Sequence, residues 1–324
     1  MNTPIRKAFV LGAGLGTRLK SLTARKPKPL VPICGKPLVT FAFDHLIRNG
    51  AKSIVINTHH CHQSYDEVFP EKKYCGATLH FEHEPTLLET GGGIKNIEPL
   101  VRGETFIVYN GDILCDLPLE RAAQAHFEMR NEVTLVLRSS GGPLHIALDE
   151  KTGRVLDIAN RLRSPTAPRY LFTGIYIVSP AFLFRIPSRS KISVIPIFMN
   201  MIQKAHALGG VVIDEGNWWD LGTREKYLEV HRFFAQPHHA FQTGCGSGEG
   251  ERWPQWRHPT AKVAASATIT GATSIGAGAI IGERAQIADC VLWENARVEP
   301  DSILRNCILT PGQTASGTHS DLDF

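Results

Sequence analysis

The sequence predicts an α/β protein: a Rossmann-like, mixed but mostly parallel sheet with helices on both faces, plus a small C-terminal left-handed parallel β-helix. Three observations carry this reading. Apolar runs alternate with helical patterns over the first two thirds of the chain, as expected of consecutive strand–helix units. A glycine loop, Leu11-Gly-Ala-Gly-Leu-Gly16, follows the first apolar run. Near the C-terminus, Val263, Ile269, Ile275, Ile281 and Ile287 fall six residues apart among alanines and glycines. That is the period of a triangular solenoid whose aliphatic residues point inward and whose small residues turn the corners.

The elements follow in order. Lys7 to Leu11 reads as the first strand. Leu38 to Asn49 is helical by pattern, with Pro37 suited to the first turn and Gly50 to the position just past the end. Ser53–Asn57, Thr78–Glu82, Thr105–Tyr109, Val133–Leu137 and Tyr170–Ser179 read as strands, and Thr223–Phe234 as a helix. Residues 1–234 are therefore expected to form one catalytic domain. Residues 235–258 change composition, with Gln236-Pro-His-His239 and Gly244-Cys-Gly-Ser-Gly-Glu-Gly250, and read as a linker. Residues 259–313 hold the repeat, and 314–324 are polar and expected to fray.

Bulk composition excludes several classes. A chain of 324 residues with 43% hydrophobic and 20% charged residues has the balance of a folded globular protein and not of a disordered one. A net charge of +4 without long basic runs makes no demand for nucleic acid and suits a phosphate-rich small substrate. No stretch reaches the roughly 18 apolar residues of a membrane span, and Met1 to Lys7 lacks the apolar region of a secretory signal. Seven cysteines without Cys-x-x-Cys spacing read as reduced thiols, so a cytoplasmic location is expected.

The glycine loop lets backbone N–H groups approach phosphate oxygens. It is not a Walker loop, because Gly35-Lys36 is followed by Pro37. It also departs from the dinucleotide fingerprint: Thr17 stands where a third glycine is needed, and the second strand ends in Asn57 instead of an acid. What remains is a glycine loop with cations at Arg18 and Lys28, the latter held between Pro27 and Pro29. Asp112 and Asp220 are the prominent carboxylates near strand ends, although either could serve as a cap or turn residue. His59-His60-Cys61-His62 does not read as a metal site, since adjacent ligands do not converge on one tetrahedral ion.

Gly14-Leu-Gly-Thr-Arg-Leu-Lys-Ser-Leu-Thr-Ala-Arg-Lys-Pro-Lys-Pro-Leu-Val-Pro-Ile33 resembles the signature of the sugar-phosphate nucleotidyltransferases. Leu88-Glu-Thr-Gly-Gly-Gly-Ile94, Asn110-Gly-Asp112, Phe172-Thr-Gly-Ile-Tyr176 and Trp219-Asp-Leu-Gly-Thr223 follow in the family's order, and many members carry a similar C-terminal β-helix. Leu88-Glu-Thr-Gly-Gly-Gly93 and Asn57-Thr-His-His60 look most like the branch of mannose-1-phosphate guanylyltransferase-like enzymes and N-acetylmuramate-1-phosphate uridylyltransferase.

The resemblance implies a magnesium-dependent transferase that joins an NTP, UTP or GTP in this branch, to a sugar 1-phosphate. It implies that Leu11, Gly12, Ala13, Gly14, Gly16 and Thr17 bind the nucleotide together with Gly111. Glu84 to Gly93 would form the base pocket, with main-chain groups of Thr90, Gly91 and Gly92 reading the base edge. Arg18 would contact the triphosphate, Lys28 the attacking or α-phosphate, and Asp112 and Asp220 the magnesium ion. Thr173 and Gly174 would line the sugar side. Relatives often carry a Glu-Lys pair before the sugar-site strand; Asn160, with Arg161 or Arg163, stands there instead and leaves the sugar open. A catalytically silent paralogue that binds nucleotide sugar is the alternative reading, and intact Arg18, Lys28, Asp112 and Asp220 argue against it. Acyl transfer at the repeat is disfavoured, as only His258 and His319 lie there, at its ends. Every motif precedes Phe234, so the repeat is expected to supply no substrate-contacting residue and to serve as a regulatory module or one for homo-oligomer assembly, leaving a 1–234 fragment active but impaired in stability or assembly.

Overall fold

The structure, a computed structural model, describes residues 4–14, 16–162, 167–238, 241–242, 244 and 253–324; of Thr17, Lys20 and Ser21 it describes the backbone only. The chain divides into two compact units that cut across the expected domains. The first comprises residues 1–14, 41–219 and 242–247, and the second 15–40, 220–241 and 248–324. The Arg18–Lys28 segment therefore belongs with the C-terminal strands and not with the strands that precede and follow it.

The first unit is built on a ten-stranded sheet. Its order is Ile146–Asp149, Arg154–Ile158, Leu208–Val212, Val133–Arg138, Arg169–Val178, Phe106–Asn110, Lys7–Leu11, Ser53–Thr58, Ala77–His83 and Lys73–Tyr74. Phe106–Asn110, Lys7–Leu11, Ser53–Thr58 and Ala77–His83 run parallel, as strand–helix alternation requires. Their apolar residues are buried on both faces, among them Phe9 and Val55 on one and Val10 and Ile56 on the other.

The sheet is mixed, as expected, but not mostly parallel: Lys73–Tyr74 runs antiparallel to Ala77–His83, and of its strands beyond residue 138 only Leu208–Val212 has a parallel neighbour, Val133–Arg138. Arg169–Val178 runs antiparallel to both Phe106–Asn110 and Val133–Arg138, and Ile146–Asp149 pairs antiparallel with Arg154–Ile158. The cause is local. No helix separates these last two strands; a turn does, in which the Asp149 carboxylate accepts the Lys151 N–H at 2.9 Å and Gly153 takes φ +64°. A hairpin-length connection permits only antiparallel pairing.

In the second unit the C-terminal residues form three stacks of parallel strands. One holds Lys262–Val263, Ile280–Ile281, Arg297–Val298 and Thr314–Ala315; another Thr268–Thr270, Gln286–Ala288, Ile303–Arg305 and Thr318–Ser320; the third Ser274–Ile275, Val291–Leu292 and Ile308–Leu309. Val263 pairs with Ile281, eighteen residues on, and Ile281 with Val298, seventeen on. The one-residue shortening falls between Ile287 and Leu292 and again between Leu304 and Leu309, where the six-residue spacing drops to five. Asp289 and Asn306 turn the chain there with φ +53° and +50°. The inward residues, including Ile275, Ile281, Ile287, Leu292, Val298, Leu304 and Leu309, form one core.

The stretch from Thr314, expected to fray, continues these stacks. Ala315 is buried in the same core, Thr318–Ser320 pairs with Ile303–Arg305, and the Phe324 N–H donates to Ile308 O at 2.9 Å. An alanine at the inward position carries no aliphatic signal, so the sequence pattern stops one coil too early. Five of the described cysteines are free thiols, but Cys75 is disulfide-bonded, which departs from the all-thiol expectation. Among the described residues no helix is long and apolar enough to cross a membrane.

Each unit buries a neutral histidine. In the first, His45 Nε2 lies 2.6 Å from Leu117 O and Nδ1 3.2 Å from Tyr109 Oη. In the second, the Cys34 N–H donates to His231 Nε2 at 3.3 Å, so Nδ1 carries the proton and donates to Tyr227 O at 2.9 Å. Burial pushes both imidazoles down to about 4. Unfolded histidines take up protons below about pH 6.5 and these do not, so their contribution to stability is complete above that pH. It falls as pH drops towards 4, by about 1.4 kcal/mol per pH unit for each histidine. Denaturant unfolding between pH 7.5 and 4 should show this decline, and the His231→Gln variant should show a shallower one; equal slopes would contradict the assignment.

Candidate active site

In the first unit, the glycine loop is organised by one buried side chain. The parallel register sets Leu11 beside Asn57, so the residue that closes the second strand faces the start of the loop. Asn57 Oδ1 accepts the N–H groups of Gly12 at 2.8 Å and Ala13 at 3.3 Å. Its Nδ2 donates to Glu84 Oε1 at 2.8 Å, while Glu84 Oε2 accepts the Leu88 N–H at 3.0 Å. The glycine loop and the loop before the Leu88 motif are thus joined through Asn57 and Glu84, both almost wholly buried. Gly12 has no room for a side chain: an added Cβ would lie 2.8 Å from Asn57 O. Gly14 is exposed, with open space where its Cβ would be. The Gly111 N–H donates to Leu11 O at 2.9 Å, which ties the loop bearing half-buried Asp112 to the same strand end.

Gly91, Gly92 and Gly93 lie in a helix, Glu89–Asn96, and are buried. A Cβ on Gly91 would lie 2.9 Å from Ile192 O, and one on Gly93 3.0 Å from Asn57 Nδ2 and Glu84 Oε1. These glycines permit close packing. The Gly92 N–H donates to Ile192 O at 3.0 Å and the Thr90 hydroxyl accepts the Val194 N–H at 2.9 Å, which ties this helix to the Ile192–Val194 segment. Glu84 has both oxygens engaged, one by Asn57 and the other by the Leu88 N–H. Helix entry at Glu89 requires φ +62°, a strained value for a non-glycine residue.

Thr173 and Gly174 sit in a bulge, where the pairing of Arg169–Val178 with Val133–Arg138 shifts between Phe172 and Tyr176. The fully buried Thr173 hydroxyl donates to Val136 O at 2.8 Å, into the sheet. Gly174, at φ +81°, lets Asn110 approach: an added Cβ would lie 2.7 Å from its Nδ2. Asn160 lies in a turn with φ +58°, where its Oδ1 accepts from Arg169 Nη2 at 3.0 Å. Arg163 lies outside the described residues.

The second unit brings Arg18, Lys28 and Asp220 together. Arg18 Nη1 is 3.8 Å from Asp220 Oδ2 and Lys28 Nζ is 3.8 Å from Asp220 Oδ1. Lys28 is buried, with 8% of its side chain exposed, whereas Arg18 is 62% exposed. Lys28 opens a short 3-10 turn in which the N–H of Leu30 donates to Pro27 O at 2.9 Å and that of Val31 to Lys28 O at 3.1 Å. A two-strand hairpin, Pro32–Ile33 with Lys36–Pro37, follows around Cys34 and Gly35, both at positive φ. Gly16, at φ +63°, is held by the Thr23 hydroxyl, which donates to Gly16 O at 2.9 Å. The Arg18 guanidinium lies against Gly222, where an added Cβ would come within 2.7 Å of Cζ. That contact explains the glycine in Trp219-Asp-Leu-Gly-Thr223.

Residues 7–237 match the Nucleotidyl transferase family, and the chain belongs to it. It is 28% identical over 305 residues, 92% of this chain and 82% of the relative, to "Mannose-1-phosphate guanylyltransferase" of Mycobacterium tuberculosis. It is 29% identical over 218 residues, 67% of this chain and 93% of the relative, to "N-acetylmuramate alpha-1-phosphate uridylyltransferase" of Neisseria meningitidis serogroup B. In fold it is similar to HddC from Yersinia pseudotuberculosis complexed with GMP-PN, with a TM-score of 0.58, 23% identity, and coverage of 70% of this chain and 98% of that one.

Asn57 and Gly222 stand in motifs quoted above, but the motifs assign neither a role. A polar residue ending an otherwise apolar strand opposite a glycine loop was the available signal for Asn57. Asn57→Ala should leave buried partners unsatisfied at about 1–3 kcal/mol each, measurable as a lowered midpoint of denaturant unfolding. Gly222→Ala should behave differently. Only the flexible end of Arg18 must move, so stability should change by less than about 0.5 kcal/mol, while turnover falls towards that of Arg18→Ala. Normal turnover in folded Gly222→Ala would show that the guanidinium position is unimportant.

Proposed function

We propose that this protein is a magnesium-dependent sugar-1-phosphate nucleotidyltransferase. A phosphate oxygen of the sugar 1-phosphate attacks the α-phosphorus of an NTP in line, the bond from the α-phosphorus to the bridging oxygen breaks, and pyrophosphate leaves. The carrying observation is the pair of cations, Arg18 and Lys28, gathered at 3.8 Å on either oxygen of Asp220. Two polyanions must meet for this reaction, and positive charge fixed in advance lowers the cost of their approach and of the charge that develops on the leaving group. Buried Lys28 is suited to a fixed contact at the reacting phosphate. Exposed Arg18 is suited to the triphosphate and the departing pyrophosphate.

Family membership supports this reading, and the named relatives favour GTP or UTP as the donor. Asp112 and Asp220 are the residues we assign to magnesium, which would neutralise phosphate charge. Among the described residues no group of three or more acidic, histidine or cysteine side chains forms a ready-made metal cage. Magnesium needs none: it takes one or two carboxylates and completes its shell with phosphate oxygens and water. We read the three strand stacks as a left-handed β-helix, and homo-oligomer formation through it as part of the proposal.

Pyrophosphate release across NTPs and sugar phosphates tests the reaction. Lys28→Ala and Arg18→Ala should each lower turnover by about 10²–10³-fold with the fold intact; near-normal turnover in either would refute its role. Titration calorimetry should detect little magnesium binding to the free protein and clear binding once nucleotide is present. Tight binding without nucleotide, or activity indifferent to a chelator, would overturn the metal assignment.

A further inference from the structure

The second unit holds an arrangement that the reaction chemistry alone does not require. Two consecutive residues of the C-terminal strand stacks, Trp293 and Glu294, grip the segment bearing Lys28 from its two ends. On the N-terminal side, Lys26 Nζ is 2.7 Å from Glu294 Oε1 and lies 5.6 Å from the centre of the Trp293 ring. On the C-terminal side, the Trp293 indole N–H donates to Tyr227 Oη at 3.1 Å, and the Tyr227 hydroxyl donates to Pro32 O at 2.6 Å. Lys28 lies between these attachments, two residues after Lys26 and four before Pro32.

The order of the relay is fixed by its donors. An indole nitrogen can only donate, so the Tyr227 oxygen accepts from Trp293 and its single proton goes to Pro32. Trp293 and Tyr227 are both fully buried, so the relay is shielded from competing water. The neighbouring carbonyl, Ile33 O, accepts from the Trp253 indole at 3.1 Å, and the Cys34 N–H is held by His231. Along this stretch the chain's polar backbone groups are thus fastened from outside the segment itself. The segment has little regular structure of its own, only a three-residue 3-10 turn and a two-residue hairpin strand, so its position depends on these external bonds.

We infer that Trp293 and Glu294 of the C-terminal stacks are positioning residues for Lys28, acting through Tyr227–Pro32 and through Lys26. The inference rests on the proposed role of Lys28, and it revises the expectation that residues 1–234 suffice for activity. A reacting group displaced by about 1 Å can lose up to about 10²-fold in rate, so loosening one grip is expected to lower turnover without abolishing it.

The test uses the full-length protein with Trp293→Phe, which removes the indole donor but keeps an aromatic ring, and Glu294→Gln, which removes only the charge. Each is made in the native and the Lys28→Ala backgrounds, with thermal unfolding as a control on folding. In the native background each should lower single-turnover nucleotidyl transfer by about tenfold, with Glu294→Asp recovering part of the loss. In the Lys28→Ala background neither should lower it further, because a residue that acts through Lys28 has nothing left to position. Hydrogen exchange at the Leu30 and Val31 amides should quicken in both variants. Unchanged exchange with unchanged rates, or losses that multiply with that of Lys28→Ala, would overturn the inference while leaving the function of Lys28 standing. Full activity in Lys28→Ala would instead refute the role of Lys28 itself.

Discussion

Arg18 and Lys28 place two positive charges beside one carboxylate, and the arrangement of the second unit answers that constraint. Arg18 and Lys28 repel, and Asp220 lies between them. A pair of opposite charges 3.8 Å apart interacts by about 4 kcal/mol at an effective dielectric near 20. Solvent screening reduces this for Arg18, which is largely exposed, and much less for Lys28, which is buried. The arrangement therefore pairs a fixed cation with an adjustable one. The fixed cation needs a fixed backbone, and the Lys26–Cys34 segment lacks enough internal structure to provide it. Helix Arg224–Phe234 and the C-terminal stacks supply that support through Tyr227, His231, Trp293 and Glu294.

The first unit solves a different problem by different means. Its glycine loop leaves the end of a strand, where no secondary structure holds the N–H groups of Gly12 and Ala13. Asn57 substitutes for it. A carboxamide can accept with one atom and donate with the other, so one buried side chain orders two loops, accepting from Gly12 and Ala13 and donating to Glu84. An aspartate there would set its charge against Glu84, which explains why the strand ends in an amide instead of the acid of a dinucleotide fold.

Much of this was legible in the sequence. Strand and helix positions up to Val133 are set by apolar runs and by punctuation such as Gly50, and the structure reproduces them within a residue or two. The antiparallel half of the sheet was not legible. Whether a strand turns back depends on the length and chemistry of one connection, here the Asp149–Gly153 turn, and not on the strand itself. The cations were legible as residue types, since Arg18 and Lys28 stand in a recognisable pattern. Their common partner, Asp220, is nearly two hundred residues away in the chain. Contacts of that separation leave no periodic trace. The same holds for Gly222: its lack of a side chain matters only because a guanidinium from the N-terminal segment lies on it.

The strand stacks show how one irregularity in a repeat can carry information. Had every side been six residues long, each corner would present the same chain path. The shortened sides at Ile287–Leu292 and Leu304–Leu309 break that uniformity, and the unit's attachments cluster beside them. Trp293 follows Leu292 directly and reaches Tyr227. Asn306, at the equivalent shortened corner one coil later, accepts from Arg232 at 2.7 Å and, through its carbonyl, from Arg224. Asp323, which bridges to Ile308 on the same stack, accepts from Arg224 at 2.6 Å. All three reach residues of the one helix, Arg224–Phe234, that also carries Tyr227 and His231 towards the Lys28 segment. Stacks of so few short strands bury too little apolar surface to be expected to stand alone. By attaching along their irregular side to that helix, they gain a partner surface and become part of the support for the buried cation.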